Sequence, residues 1–172
     1  QEALAETDEQ ARRLRLLNDL SEKLGQAESR EMIYQAISET SHQIFKSSRA
    51  CTAIWTEDRQ AVQVVASTGE GAEQSLGQKA PRDQGDFWDM VKKNRISMNP
   101  EVSNPNDPRI RSSMVGPIFL GGELEGIINI SSTSPGYFDE QDETFMVQLL
   151  SIVNASLELS LIHISEPTRL RR

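Results

Sequence analysis

The clearest pattern of apolar and polar positions lies in residues 111–132, where two apolar runs flank a Gly-Gly pair. Gly121 and Gly122 can both adopt a positive φ without steric cost, which a two-residue hairpin turn requires. The pattern therefore predicts an antiparallel hairpin in which Leu120 faces Glu123 across the turn.

The register of this hairpin follows from its turn, because a step of one residue moves a side chain to the other face of a sheet. The expected pairs are Phe119 with Leu124, Pro117 with Gly126, Val115 with Ile128, and Ser113 with Ile130. That face is almost wholly apolar, whereas the opposite face mixes Met114, Gly116 and Ile118 with Glu125, Ile127, Asn129 and Ser131. We expect helices on the apolar face and a ligand pocket over the mixed face. A weakly solvated sheet surface explains the mixed face equally well.

Two helices are predicted before the first strand. Residues 2–26 are rich in Ala, Leu, Glu and Arg, contain no Pro, and have their only Gly near the end. Leu17, Leu20 and Leu24 lie three and four residues apart, which favours a parallel coiled-coil dimer through this helix and the last one. The alternative is that these leucines pack on their own domain. Ser29 is a candidate N-cap for a second helix over residues 30–46.

The remaining elements alternate between strands, short helices and loops. We expect strands at residues 49–56 and 61–67, a mostly irregular segment at 69–84 with a short strand near Leu76, a short helix at 85–94 and a short strand at 96–98. Residues 99–111 contain three prolines and three asparagines, which predicts a long loop of the kind that is often functional. Asp139 as N-cap and Asp142 at the third helical position predict a final helix that reaches about Leu159.

This order of elements resembles the GAF domain family. The similarity rests on RSSMVGPIFLGGELEGIINIS at residues 111–131 followed by FDEQD at 138–142, which are similar to the family's R-S, v-P, G-x-x-x-G-v-l and F-x-x-x-D pattern. The resemblance implies an α+β fold with an antiparallel sheet, terminal helices on one face and a small-molecule pocket on the other. Residues 27–160 would form this domain and residues 1–26 a signalling helix.

The C-terminal segment 161–172, LIHISEPTRLRR, differs from the chain before it. It carries three Arg against one Glu and places Pro167 in the path of the helix. The segment resembles translated sequencing-adaptor sequence, so we interpret it as a non-native tail and give His163 no functional weight. A natural basic extension is the alternative.

Composition limits the partners. The net charge of −8 and a pI near 4.8 argue against nucleic acid and against an anionic membrane surface. The single cysteine, Cys51, cannot form an intramolecular disulfide, and no apolar run is long enough to cross a bilayer. These features favour a cytoplasmic protein. The chain begins at Gln1 rather than Met, which suggests a piece of a longer polypeptide.

The residues offer little catalytic chemistry, so we expect no enzyme, no metal and no cofactor. Cys51 is expected to be a buried structural thiol and His42 a solvated or packed residue. A GAF-related free methionine sulfoxide reductase would need further cysteines in residues 99–111, and covalent bilin attachment would need a cysteine in the second half of the domain. The cyclic-nucleotide-binding pattern F-x-x-x-D-E is matched by Phe138, Asp142 and Glu143, but the expected Asn-Lys pair is absent, which would leave Asp142 without its ion pair.

A non-covalent pocket is the remaining hypothesis. Its candidate residues are an aromatic wall, hydrogen-bonding groups, arginines for an anionic group and apolar lining, namely Phe87, Trp88, Asn129, Ser131, Asn104, Arg109, Arg111, Met114 and Ile127. Ordinary core packing of the aromatic residues and solvated loop charges are the alternatives. We therefore predict a small-molecule-sensing regulatory domain of a bacterial signalling protein, with a histidine kinase or nucleotide cyclase as output. A ligand-free dimerisation spacer is the first alternative and an enzyme the second.

Overall fold

The computed structural model describes residues 2–165 of the chain, with side chains for residues 6–160 and 162. Five helices and six strands follow in the order α1 Glu2–Gln26, α2 Arg30–Phe45, β1 Arg49–Trp55, β2 Ala61–Gly69, α3 Ala72–Ser75, β3 Lys79–Pro81, α4 Phe87–Lys92, β4 Ser97–Asn99, β5 Ser112–Leu120, β6 Glu123–Ser132 and α5 Glu140–Ser165. All strands belong to one antiparallel sheet with the order β3-β2-β1-β6-β5-β4. The predicted α+β class is confirmed.

Helices α2 and α5 pack on one face of the sheet, and α1 packs against both of them. Leu17, Leu20 and Leu24 of α1 are 3%, 0% and 0% exposed and belong to the main hydrophobic core. The prediction that these leucines form a dimer interface is therefore wrong, because their own chain already covers them. Spacing of three and four residues places leucines on one side of a helix whether the partner is another copy or the same domain.

Polar contacts fix α1 on α5 near both ends of the pair. Arg13 Nη1 lies 3.0 Å from Asp142 Oδ1 at the start of α5, and Ser160 Oγ near its end donates to the Leu24 carbonyl at 2.6 Å. Arg13, which precedes Leu24 in α1, meets Asp142, which precedes Ser160 in α5, so the two helices run parallel. The first turn of α1 and the last turn of α5 consequently lie at opposite ends of the domain.

The β5–β6 hairpin forms as predicted at its turn but not beyond it. Leu120 pairs with Glu123 and Phe119 with Leu124, after which a bulge shifts the register so that Ile118 pairs with Gly126. The extra residue is Glu125, and the expected register beyond it is wrong by one position. At the bulge, the Phe119 backbone N–H donates to Asn154 Oδ1 of α5 at 3.0 Å.

This bulge exchanges the faces of β5 relative to the prediction. Met114, Gly116 and Ile118 lie on the helix-covered face, whereas Ser113 and Val115 share the other face with Ile127, Asn129 and Ser131. A Cβ at Gly116 would lie only 2.9 Å from Leu150 Cδ1 and 3.1 Å from Met146 Sδ. The missing side chain at Gly116 therefore lets α5 lie close to the sheet.

Helix boundaries follow their capping residues. Ser29 Oγ accepts from Met32 N at 3.1 Å, and Asp139 and Asp142 exchange reciprocal side-chain to backbone hydrogen bonds of 2.9 Å, so both predicted caps are confirmed. The last helix continues to Ser165 rather than ending near Leu159. Residues 161–165 contain neither Gly nor Pro, so nothing in them stops a helix. The remainder of the predicted non-native tail, residues 166–172, lies outside the described residues.

One further expectation changes in detail. Leu76 follows the short helix α3, and the short strand expected near it is β3, three residues further on. Within residues 2–165, no helix is both long enough and apolar enough to cross a membrane.

Candidate functional site

A cavity of about 570 Å³ lies over the sheet face that the helices α2 and α5 leave uncovered. Its floor is formed by side chains of β1, β2, β4, β5 and β6. Residues 85–87 at the start of α4 and residues 101–106 of the long loop line its other sides. The cavity thus lies on the sheet face opposite the terminal helices, as the resemblance implies, and the short helix and the long loop surround it.

Strand pairing arranges the floor in cross-strand rows that change from polar to apolar. The first row contains Arg49, Ser131, Ser113 and Asn99, the second contains Cys51, Asn129, Val115 and Ser97, and the third contains Ala53 and Ile127. Successive rows are two residues apart along each strand, which corresponds to about 6.7 Å. The cavity therefore has a polar end near Arg49 and an apolar end near Ala53.

An aromatic cluster closes the apolar end. Trp88 stacks between Trp55 and Phe87, with ring centroids 5.3 and 4.9 Å away, and its Nε1 donates to the Gln84 carbonyl at 3.1 Å. Phe87 lines the cavity, whereas Trp88 is only 2% exposed and packs with Ala53 and Ile127 in a second core cluster. Trp88 thus anchors α4 to the sheet, and Phe87 supplies the aromatic surface of the cavity.

Arg49 dominates the polar end. Its side chain is 8% exposed, and its Nη1 donates to the Glu70 carbonyl at 3.3 Å, the Gly71 carbonyl at 3.2 Å and Asp107 Oδ2 at 3.3 Å. Asp107 belongs to the long loop and also accepts from Arg109 Nε and Nη2, at 3.1 and 3.2 Å. These hydrogen bonds from Arg109, with the nearby charge of Arg49, hold the pKa of Asp107 below its ordinary value. Arg49 therefore ties two loops to the floor of the cavity.

Asn129 lies at the centre of the floor. Its Oδ1 is the one buried side-chain nitrogen or oxygen without a hydrogen-bond partner among the described residues. A buried acceptor left without a donor costs about 1–3 kcal/mol, so such atoms in native proteins usually meet a ligand or an ordered water. This half-buried carboxamide is the strongest single indication that the cavity takes a ligand.

Cys51 pairs with Asn129 across the neighbouring strands β1 and β6, and its thiol is a weak nucleophile. Burial raises the pKa of its thiol to about 11, so the side chain stays protonated at neutral pH. A thiol is a poor nucleophile because the thiolate is the reactive form. The described residues also contain no group of His, Cys, Asp and Glu side chains that could hold a metal ion.

Residues 29–157 match the family model of the GAF domain. The chain belongs to the GAF domain family. No curated protein sequence is similar enough to count as a match.

Solved structures share the fold of this GAF domain. The GAF domain of an Acinetobacter phosphoenolpyruvate-protein phosphotransferase has a TM-score of 0.73 at 16% identity, with 87% of this chain and 94% of that one covered. The free methionine-R-sulfoxide reductase of Neisseria meningitidis, solved with its substrate, has a TM-score of 0.71 at 16% identity, with 84% and 87% covered. A Stigmatella aurantiaca phytochrome photosensory core module has 0.74 at 14% identity, with 94% and 39% covered. Identities this low establish the fold alone.

The GAF domain brings some of the predicted pocket residues together and separates others. Those that line the cavity are Phe87, Asn104, Ile127, Asn129 and Ser131, and their contact with a ligand stays a prediction. Those that do not line it are Trp88, Arg109, Arg111 and Met114.

Three of the predicted pocket residues lie away from the cavity. Met114 is fully buried under the helices, because the bulge at Glu125 turns it away from the cavity. Arg109 and Arg111 have side chains that are 64% and 47% exposed and pair with Asp107 and Glu101 at 3.1 and 2.6 Å. They hold the long loop in shape from its outer side.

The sequence reasoning missed Arg49, the buried arginine of the cavity. Alternation along β1 contains the signal, because Arg49 precedes Cys51 and Ala53 at intervals of two residues. A single charged residue at the start of an otherwise apolar strand, in phase with its pocket-facing positions, marks a candidate binding group.

Asp142 is not left without an ion pair in this GAF domain. Arg13 of α1 supplies the partner, and its guanidinium also lies over the Phe145 ring, 4.8 Å from the centroid. Burial, together with the neighbouring Asp139, raises the pKa of Asp142 above its ordinary value in spite of Arg13. Asp142 does not line the cavity, so the match to F-x-x-x-D-E reflects a helix cap and a helix anchor.

Proposed function

We propose that this GAF domain is a sensory module that binds a small molecule reversibly in the cavity over its sheet. The observation that carries the proposal is the unpartnered Oδ1 of Asn129 on the cavity floor. The volume of about 570 Å³ supports it, since ligand pockets commonly measure about 300–1,000 Å³.

Strands β6 and β5 connect the cavity to the terminal helices. Asn129 and Ser131 line the cavity, while the intervening Ile130 packs in the core with α5, which follows β6 in the chain. The contact between the Phe119 backbone and Asn154 joins the same hairpin to α5. A ligand that alters the hairpin would alter the packing of α5 and α1, and through them an output domain such as a histidine kinase or a nucleotide cyclase.

The arrangement favours this sensor over a ligand-free spacer. A spacer would be expected to fill the space over its sheet with side chains such as Met114, Ile127 and Trp88. Met114 lies on the other face and Trp88 packs behind Phe87, so an open cavity remains. The protonated thiol of Cys51 supports a binding role over a catalytic one.

Native mass spectrometry of the full chain, followed by a thermal-shift screen of metabolites, tests the proposal. We expect a bound or stabilising small molecule, because a ligand that binds only the folded state raises the melting temperature. Asn129→Leu should abolish the shift. Asn18→Leu, the same change at an exposed position of α1, should preserve it. A wild type that carries nothing and responds to nothing, or an unaffected shift in Asn129→Leu, would contradict the proposal.

A further inference from the structure

We propose that the ligand of this cavity is an elongated organic carboxylate that binds Arg49 with its carboxylate and lays an apolar body toward Ala53 and Ile127. The inference rests on the proposed sensory function and names the chemical class that the site selects.

Arg49 has hydrogen-bonding capacity left over. Every hydrogen bond of its side chain to the described residues leaves from Nη1. Nε and Nη2 carry three further N–H groups, and neither nitrogen is a buried atom without a partner. Arg49 lines the cavity, and this second edge of the guanidinium is the part that remains for a ligand there. Two N–H groups side by side match the two oxygens of a carboxylate.

Two hydroxyl groups continue the row that begins at Arg49. Ser131 pairs with Arg49 across β1 and β6, and Ser113 pairs with Ser131 across β6 and β5. Both line the cavity, and neither hydroxyl has a hydrogen-bond partner within the part of the chain that the structure describes. Adjacent strands lie about 4.8 Å apart, so both hydroxyls are close enough to serve one anionic group.

The charges at this end also favour an anion. Arg49 and Arg109 share the single carboxylate of Asp107. The other charged residues nearby are exposed: Glu101 lines the cavity and is paired with Arg111, and Glu70 interacts electrostatically with Arg109. Arg49 is the deeply buried charge of this set, and a buried charge interacts most strongly because solvent screens it least.

The rows of the floor set the length and polarity of the rest of the ligand. Arg49 and Ala53 are four residues apart on one strand, which is about 13 Å. Between them lies Asn129, whose unpartnered oxygen can accept from a hydroxyl or amide of the ligand. Ala53, Val62, Ile127 and Phe87 surround the far end, and the charged residues that line the cavity there, Lys79 and Asp86, are exposed. An apolar chain or ring of the ligand would be buried at that end. A ligand with an amine head group would instead be repelled by the positive charge of Arg49 at the other end.

Three probes of one shape and different head groups test the inference. Isothermal titration and thermal shift of the full wild-type chain are measured with 4-phenylbutanoate, 4-phenylbutan-1-ol and 4-phenylbutylamine. We expect the carboxylate to bind at least tenfold more tightly than the other two. Equal or tighter binding of the alcohol or the amine would overturn the inference while leaving the sensory function standing.

Variants then locate the head group. Arg49→Gln should weaken carboxylate binding at least tenfold. Arg49→Lys keeps the positive charge but lacks the paired N–H groups of the guanidinium, so its affinity should lie between those of Arg49→Gln and the wild type. Arg109→Gln, the same change on the exposed side of Asp107, should bind within about twofold of the wild type. Unchanged binding in both Arg49 variants would overturn the inference. No response to any probe, together with no molecule in native mass spectrometry, would instead count against the sensory function itself.

Discussion

Asp142 joins two helices that are far apart in sequence, because one carboxylate oxygen lies 3.0 Å from Arg13 Nη1 while the other accepts from the backbone of Asp139 at 2.9 Å. The same side chain therefore caps the start of α5 and fastens α1 to it. Both side chains of the ion pair are largely covered, with exposed fractions of 14% for Arg13 and 9% for Asp142.

Asp142→Ala should lower the free energy of unfolding by about 1–3 kcal/mol, because it removes a helix cap and leaves the covered guanidinium of Arg13 with Glu9 as its remaining ion-pair partner. Urea denaturation followed by circular dichroism measures the change. Glu143→Ala, at the next and exposed position, serves as the control and should stay within about 0.5 kcal/mol of the wild type. Equal effects of both substitutions would show that the contact between Asp142 and Arg13 does not stabilise the fold.

Glu9 should make the domain lose stability in acid. Its hydrogen bond with Arg12 lowers the pKa of Glu9 from 4.5 to about 2, so the unfolded chain binds its proton first as the pH falls. The stabilisation from Glu9 is therefore present above pH 4.5 and is lost between pH 4.5 and about 2. Urea melts across this range should show a steeper decline for the wild type than for Glu9→Gln. Parallel declines would exclude this ion pair as a contributor.

Leu20→Ala should destabilise the folded chain by about 2–5 kcal/mol, because Leu20 is fully buried among α1, α2 and α5 and its truncation leaves a cavity. Leu14→Ala, on the same helix but 49% exposed, should change the stability by less than about 0.5 kcal/mol. Chemical denaturation compares the two. A mild effect at Leu20 would restore the idea that the leucines face a partner. Dimerisation through the terminal helices stays a prediction, but these leucines do not supply its interface.

Gly116→Ala should cost about 1–3 kcal/mol, since its new Cβ would lie 2.9 Å from Leu150 Cδ1 and would push α5 away from the sheet. Gly25→Ala is the matched control. No atom lies within 4 Å of a Cβ at Gly25, so this change near the end of α1 should stabilise by about 0.4–1 kcal/mol. Opposite signs in thermal melting are the expected result, and a stabilising Gly116→Ala would contradict the close packing.

The fold could be predicted from sequence where local signals decide the structure. Gly121 and Gly122 have φ values of 60° and 81°, as the hairpin turn requires, and Ser29 and Asp139 cap their helices. The bulge at Glu125 leaves no comparable signal, because it depends on how β5, β6 and Asn154 of α5 fit together. A register shift of one residue exchanges the two faces of a strand, which is why the sequence pattern places Met114 on the wrong face.

The candidate site was predictable in position more than in detail. Asn129 and Ser131 follow from alternation along β6, which the bulge does not disturb beyond Glu125. The contact of Arg49 with Asp107 joins residues 58 positions apart, and that of Arg13 with Asp142 joins residues 129 positions apart. No local pattern encodes such pairs, so the arginine that faces the cavity and the one that anchors a helix appear only in three dimensions.

Because α1 and α5 run parallel, the chain enters the domain at one end and leaves it at the opposite end. Ser160 meets Leu24 near one pole, and Arg13 meets Asp142 toward the other. A neighbour joined before α1 and a neighbour joined after α5 would therefore lie on a common axis with this domain between them. Domains joined in this way would follow one another along a single axis rather than gather around one point.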